Sequence, residues 1–155
     1  TAEREAMLSK DLASAVVLFR AGAPVMGVGL DVTLRTLLTC RQSGRWGVLD
    51  TAAGSLLADL TDSYIKGYGT TAPGLGGCGL HDPLAVGVAI DPTLVTTLPV
   101  VMRVDVEGPT RGRTIGDNAH LNDTDGSVLA AVGVDTKRFL GEFMDRITGL
   151  ARRAR

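Results

Sequence analysis

Hydrophobic period changes repeatedly along this chain, and those changes fix the kind of fold it can adopt. Val25 to Leu30 and Val128 to Val134 are short apolar runs that read as buried strands. Val100, Met102, Val104 and Val106 alternate with Arg103, Asp105 and Glu107, the pattern of a half-exposed strand. Gly108-Pro109 turns it, and Arg111 to Asp117 reads as an antiparallel return. The stretches between are helical in period. Leu12, Ala15, Val16 and Phe19 take core-facing spacing in a helix from Ser9 to Ala21, capped by Ser9 or Asp11 and stopped by Gly22. Thr33 is read as the cap of a second helix, Leu34 to about Thr39. A third, from about Thr51 to Lys66, puts Leu56, Leu57, Leu60, Tyr64 and Ile65 on one stripe. Leu84 to Ile90 is apolar all round, which predicts a deeply buried helix, with Asp82 as its cap and Pro83 at its first position. A final amphipathic helix, capped by Asp135 or Thr136, runs through Phe139, Phe143, Ile147 and Leu150. Helices alternating with short strands give a layered α/β fold, a mixed, mostly parallel sheet flanked by helices. Its three or four strands make a sheet that is marginal alone, so more of it is expected upstream.

Composition removes several classes of function. A formal net charge of -1 over 155 residues gives no reason to invoke nucleic acid or an acidic membrane surface. Arg152, Arg153 and Arg155 form a short basic tail suited to a helix C-terminus. No stretch reaches the roughly 18 apolar residues of a membrane span. Two cysteines, Cys40 and Cys78, make neither a disulfide framework nor a zinc site, so the expected setting is reduced and cytoplasmic. The chain opens at Thr1 and not at methionine, which is read as processing or as a piece of a longer protein.

Three motifs compete for chemistry. Gly74-Leu75-Gly76-Gly77-Cys78-Gly79 satisfies the dinucleotide glycine pattern, but Thr71, Ala72 and Pro73 precede it where a strand is required. It reads as part of a long glycine-rich loop, Gly67 to Leu80. Asn122-Asp123-Thr124-Asp125-Gly126 resembles a calcium loop, yet Leu121 and Val132 stand where acids are needed, so it reads as a turn. His81-Asp82-Pro83 opens an apolar helix beside the glycine loop. A histidine there can act as an acid near neutral pH, and a carboxylate there can serve a hard cation. Trp46, Cys40, Cys78 and His120 read as core or surface residues.

Several segments together, in order, resemble the inosine-uridine preferring nucleoside hydrolase family. Val28-Gly29-Leu30-Asp31-Val32-Thr33 is similar to its strand-to-helix junction, and His81-Asp82-Pro83-Leu84-Ala85 to its second signature. Thr110-Arg111-Gly112-Arg113-Thr114 is similar to its next block, and Val128 to Phe139 with Asp135 to its closing stretch. The resemblance covers nearly the whole chain and corresponds to the C-terminal half of such an enzyme, residues 1–155 forming that part of one domain.

The resemblance implies cleavage of the N-glycosidic bond of ribonucleosides to ribose and free base, with a calcium ion holding the ribose hydroxyls and the attacking water. It assigns His81 to protonation of the departing base and Asp82 to the calcium and the sugar. Glu5 matches a glutamate that contacts ribose, with Met7 where the family has asparagine. Tyr64 and Tyr68 fall near the loop that approaches the base, and Tyr68 is taken as a substrate contact. Homo-oligomers are the family's usual state. The aspartate cluster that supplies most calcium ligands and the general base has no counterpart between Thr1 and Arg155. Calcium takes about 6 to 8 oxygen ligands, so this chain alone is expected to bind it poorly and to turn over little. The missing N-terminal half then belongs to the same parent protein or to another polypeptide; the alternative is a non-catalytic binding or structural remnant of the fold.

Overall fold

The computed structural model describes residues 11–117 and 128–154. They form a mixed parallel and antiparallel α/β fold in two compact units, one of 11–30 with 96–117 and 128–133, the other of 31–95 with 134–154.

In the first unit, α1 (Leu12–Arg20) begins at Asp11, whose side chain accepts from the Ser14 backbone N–H at 3.0 Å. Strands β1 (Val25–Gly27), β4 (Val95–Val100) and β7 (Val128–Val134) lie side by side in the order β1-β7-β4. The β1 and β7 strands pair in parallel, Val25 opposite Val128. The expected strand over Val25 to Leu30 is therefore shorter, because Leu30 already opens a helix. The alternating run from Val100 to Val106 is also divided. Its first residue ends β4, while β5 (Met102–Val104) pairs antiparallel with β6 (Thr114–Gly116), as the expected return of Arg111 to Asp117 requires.

In the second unit the helix expected over Leu34 to Thr39 is absent. A single turn, α2 (Leu30–Thr33), comes first, and Thr33 ends it instead of capping a later one. Strand β2 (Leu37–Leu38) follows, and Thr39 then caps α3 (Cys40–Gly47). Thr39 and Gln42 form a capping box, which fixes that start against the weak helix propensity of a segment holding two glycines. Trp46 is core: its Nε1 donates to Thr148 Oγ1 at 3.0 Å. The next helix, α4 (Ala52–Thr71), is capped by Thr51 and runs past the expected end at Lys66. The glycine-rich segment is correspondingly shorter, and β3 (Cys78–Gly79) interrupts it by pairing antiparallel with β2.

Helix α5 (His81–Ile90) begins one residue earlier than expected. Leu80 takes the cap position with no side-chain cap bond, so Asp82 lies inside the first turn and does not cap its own helix. Nor is α5 buried all round. Leu84 and Val88 are buried, whereas Val86 and Ile90 are 60% and 61% exposed. The apolar stripe of α4 is likewise open, with Leu56, Leu60 and Tyr64 all exposed. An apolar composition records what a helix can bury, and the described residues cover only one face of α5. Helix α6 (Thr136–Arg153) starts at Asp135, whose carboxylate accepts from the Arg138 N–H at 3.0 Å. Among the described residues no helix is long and apolar enough to cross a membrane.

Candidate functional site

Two connections bring residues from 33 to 81 together. The β2–β3 pairing sets Leu37 opposite Gly79, and the Leu80 N–H donates to the Thr36 carbonyl at 3.0 Å. These bonds carry the start of α5 against the end of α2. The His81 ring sits there, half-buried, with both nitrogens engaged: Thr33 Oγ1 is 2.6 Å from Nδ1, and Tyr68 Oη is 2.6 Å from Nε2. Tyr68 reaches it from the last turns of α4, its ring stacked at 27° to the imidazole with centroids 6.4 Å apart. Tyr64, one turn earlier, meets Tyr68 edge-on at 5.2 Å.

Gly79 makes this packing possible. A Cβ there would stand 2.6 Å from His81 Nε2, closer than such atoms approach, so only glycine leaves the ring its place. Burial, together with a hydrogen bond to Tyr64, pushes the Tyr68 phenol up to about 12. It is a neutral hydroxyl throughout the physiological range, able to donate and to accept.

Asp82 is exposed, in the first turn of α5, where the positive end of the helix dipole favours a carboxylate. It stands at one end of a groove of about 440 Å³ between α5 and α6, lined mainly by apolar groups including Val86, Ile90, Phe139 and Phe143. Gly87 keeps the two helices close, since a Cβ there would meet the Phe139 ring at 3.1 Å. The other cysteine readings resolve simply: Cys78 is buried, Cys40 is exposed, and neither is in a disulfide.

Of the residues singled out from sequence, His81 and Tyr68 are in direct contact, and Asp82 follows His81 in the chain. Glu5, His120 and the Asn122 to Gly126 turn lie outside the described residues. Thr33 was expected as a helix cap and as the end of the Val28 to Thr33 segment of the resemblance; its contact with His81 had no signal in spacing, because 48 residues separate the two. The described residues do not by themselves make up a calcium site, in which Asp82 would be one ligand. Among the described residues no three His, Cys, Asp or Glu side chains converge in a way that could hold a metal ion, and one carboxylate falls far short of the ion's shell.

The sequence profile described as inosine-uridine preferring nucleoside hydrolase matches residues 5–141. The chain is 28% identical over 138 residues to the pyrimidine-specific ribonucleoside hydrolase RihA of Shigella boydii, covering 88% of this chain and 44% of that protein. Among solved structures, the purine-preferring ribonucleoside hydrolase from Gardnerella vaginalis is 65% identical, with a TM-score of 0.92, over 97% of this chain and 48% of that one. The plant nucleoside hydrolase PpNRh1 is 28% identical, with a TM-score of 0.81, over 93% of this chain and 47% of that one. The chain thus spans about half the length of the relatives it matches. With that profile running through nearly the whole of it, the chain belongs to the inosine-uridine preferring nucleoside hydrolase family.

Proposed function

We propose that this chain is the C-terminal part of a nucleoside hydrolase domain and supplies that part of its active site. The reaction is hydrolysis of the N-glycosidic bond of ribonucleosides to ribose and free base. The observation that carries this reading is the His81 ring, held at both nitrogens by hydroxyls, at the head of a helix whose next residue is an exposed carboxylate.

In the proposed reaction a water oxygen bonds to the anomeric carbon of the ribose as the carbon–nitrogen bond breaks, and that bond's electron pair goes to the base. The base must gain a proton as it leaves. His81 in its imidazolium form supplies it from Nε2, the nitrogen on which Tyr68 stands: Nε2–H passes to Oη while Oη–H passes to the base. Tyr68 is neutral before and after, which suits its raised pKa. Such acid catalysis is worth about 10²–10⁴-fold. The water's proton goes to a carboxylate outside this chain. Asp82 is assigned to the sugar and to calcium, as one ligand of a site whose other carboxylates come from elsewhere; Glu5 is assigned to the ribose.

The partner is the half of the fold that the relatives carry and this chain does not. The open apolar faces of α4 and α5 support it, since exposed Val86 and Ile90 beside an apolar groove are a surface to be covered. Homo-oligomerisation of the completed enzyme, in the cytoplasm, belongs to the same proposal, and the two unpaired cysteines suit that compartment. Similarity to a purine-preferring enzyme at 65% identity makes purine ribonucleosides the substrate class proposed first.

The test is to supply the portion of the Gardnerella vaginalis hydrolase that this chain does not cover, with calcium, and to measure release of base from inosine and uridine. Hydrolysis by the mixture, lost in His81→Ala, supports the reading. Nucleoside binding without turnover by a well-formed complex would favour a non-catalytic remnant.

A further inference from the structure

The two cysteines of the chain come together at the strand pair that leads into His81. Strand β3 sets Cys78 opposite Leu38, and Cys40 lies two residues beyond Leu38. Thr39 between them is still extended, so Cys40 leaves the strand on the side of Leu38, diagonal to Cys78. Diagonal neighbours across an antiparallel pair stand about 7–8 Å apart at Cα, and a disulfide spans up to about 6.8 Å. A shift of about 1 Å closes that gap. Gly77 already lets the backbones approach, since a Cβ there would stand 2.5 Å from the Leu38 carbonyl oxygen. Strands β2 and β3 are only two residues each, so little has to give.

The two thiols differ in access. Cys40 is exposed, at the first position of α3, whereas Cys78 is buried. Burial, and beyond it the charge of Cys40, push the Cys78 thiol up. Lys66, raised chiefly by its bond to Asp62, also feels that charge. An exposed thiol at a helix N-terminus with a lysine in reach is the one an oxidant attacks first.

We propose that Cys40 and Cys78 form a reversible disulfide on exposure to a peroxide, and that this bond is a redox switch on the site beside it. The Cys40 sulfur bonds to one peroxide oxygen as the O–O bond breaks, giving a sulfenic acid and a hydroxide that takes up a proton. The Cys78 sulfur then bonds to Cys40 Sγ as the S–O bond breaks, and the oxygen leaves with the Cys78 proton as water. Two thiols lose two electrons in all, and hydrogen peroxide is reduced to two waters. A dithiol reverses the change by exchange. Cys78 precedes Gly79, against which the His81 ring is packed. Drawing β3 towards Cys40 therefore moves the seat of that ring between Thr33 and Tyr68. The effect on turnover rests on the proposed function, whereas the bond itself does not.

The bond is tested on the full chain, reduced, treated with hydrogen peroxide, digested without reductant and weighed. The expected product is a monomer lighter by two hydrogens, with Cys40 and Cys78 peptides linked, and dithiothreitol should release them. Cys40→Ser, at an exposed position, should melt like the parent and form no link. The NMR signals of the His81 ring should shift on oxidation and return on reduction. With the other half of the fold supplied, oxidation should lower kcat about tenfold or more, as misplacing a catalytic group does, and Cys40→Ser should keep its rate through peroxide. Cys40 carried to sulfinic acid while Cys78 stays a free thiol, or joined only to a second chain, would overturn the proposal. A linked chain with unmoved His81 signals would overturn the switch. The functional reading fails separately: the reduced mixture then releases no base, while the link and the ring shifts still appear in the chain alone.

Discussion

Tyr68 and His81, 13 residues apart in the chain, meet at 2.6 Å between phenol oxygen and Nε2. Helix α4 ends and α5 begins so that an uncharged hydroxyl stands on one imidazole nitrogen while Thr33 stands on the other. The proposed chemistry depends on that pairing, and it gives the first prediction.

Tyr68→Phe keeps the ring and its stacking and removes the hydroxyl that meets His81 Nε2. In the complemented enzyme kcat for inosine should fall by about 10²-fold, the lower range for a positioned acid, while melting of the chain changes little. Unchanged turnover would remove Tyr68 from the proton path.

Gly79→Ala places a methyl group where the His81 ring lies, 2.6 Å from Nε2. The ring must leave its position between Thr33 and Tyr68, so the NMR signals of His81 and the turnover of the complemented enzyme should both be disturbed. A variant with parental ring shifts would show that the backbone yields there.

The pH dependence of Tyr68 has a defined sign. Its folded pKa, about 12, lies above the ordinary phenol value of 10.0, so the folded state holds this proton more tightly than the unfolded chain. The resulting stability is fully present below about pH 10 and is lost as pH rises towards 12. Alkaline titration of tyrosine absorbance should show one phenol titrating late, and Tyr68→Phe should abolish that step. A Tyr68 phenol titrating near 10 would contradict its burial.

The open face of α5 predicts where the other half docks. Ile90→Asp sits on an exposed position, so the isolated chain should melt within about 0.5 kcal/mol of the parent. Association with the complementary half, measured by calorimetry, should weaken at least about tenfold, as a charge placed against an apolar partner demands. Equal affinity would put the docking surface elsewhere.

Legibility from sequence follows the range of each interaction. Strand β7 and helices α4 and α6 are legible because their periods are sustained and their caps, Thr51 and Asp135, lie beside them. Helix α3 is hidden by its glycines and sparse apolar residues, although the Thr39 and Gln42 pair, three residues apart, is a local signal for its start. The burial of α5 is overestimated because apolar composition does not say whether the covering partner is in the same chain. His81 and Asp82 stand out by motif. The contact between Thr33 and His81 does not, since it forms only once the β2–β3 pairing has closed a separation of 48 residues.

The central claim is that the head of α5 completes an active site shared with the other half of the fold. Its most direct measurement is base release from inosine by this chain mixed with the uncovered portion of the Gardnerella vaginalis hydrolase, in parent, His81→Ala and Asp82→Ala forms. The account predicts hydrolysis by the parent mixture, little by either half alone, and losses of at least about 10²-fold in both variants with association retained. Variants that hydrolyse inosine at the parent rate would contradict it.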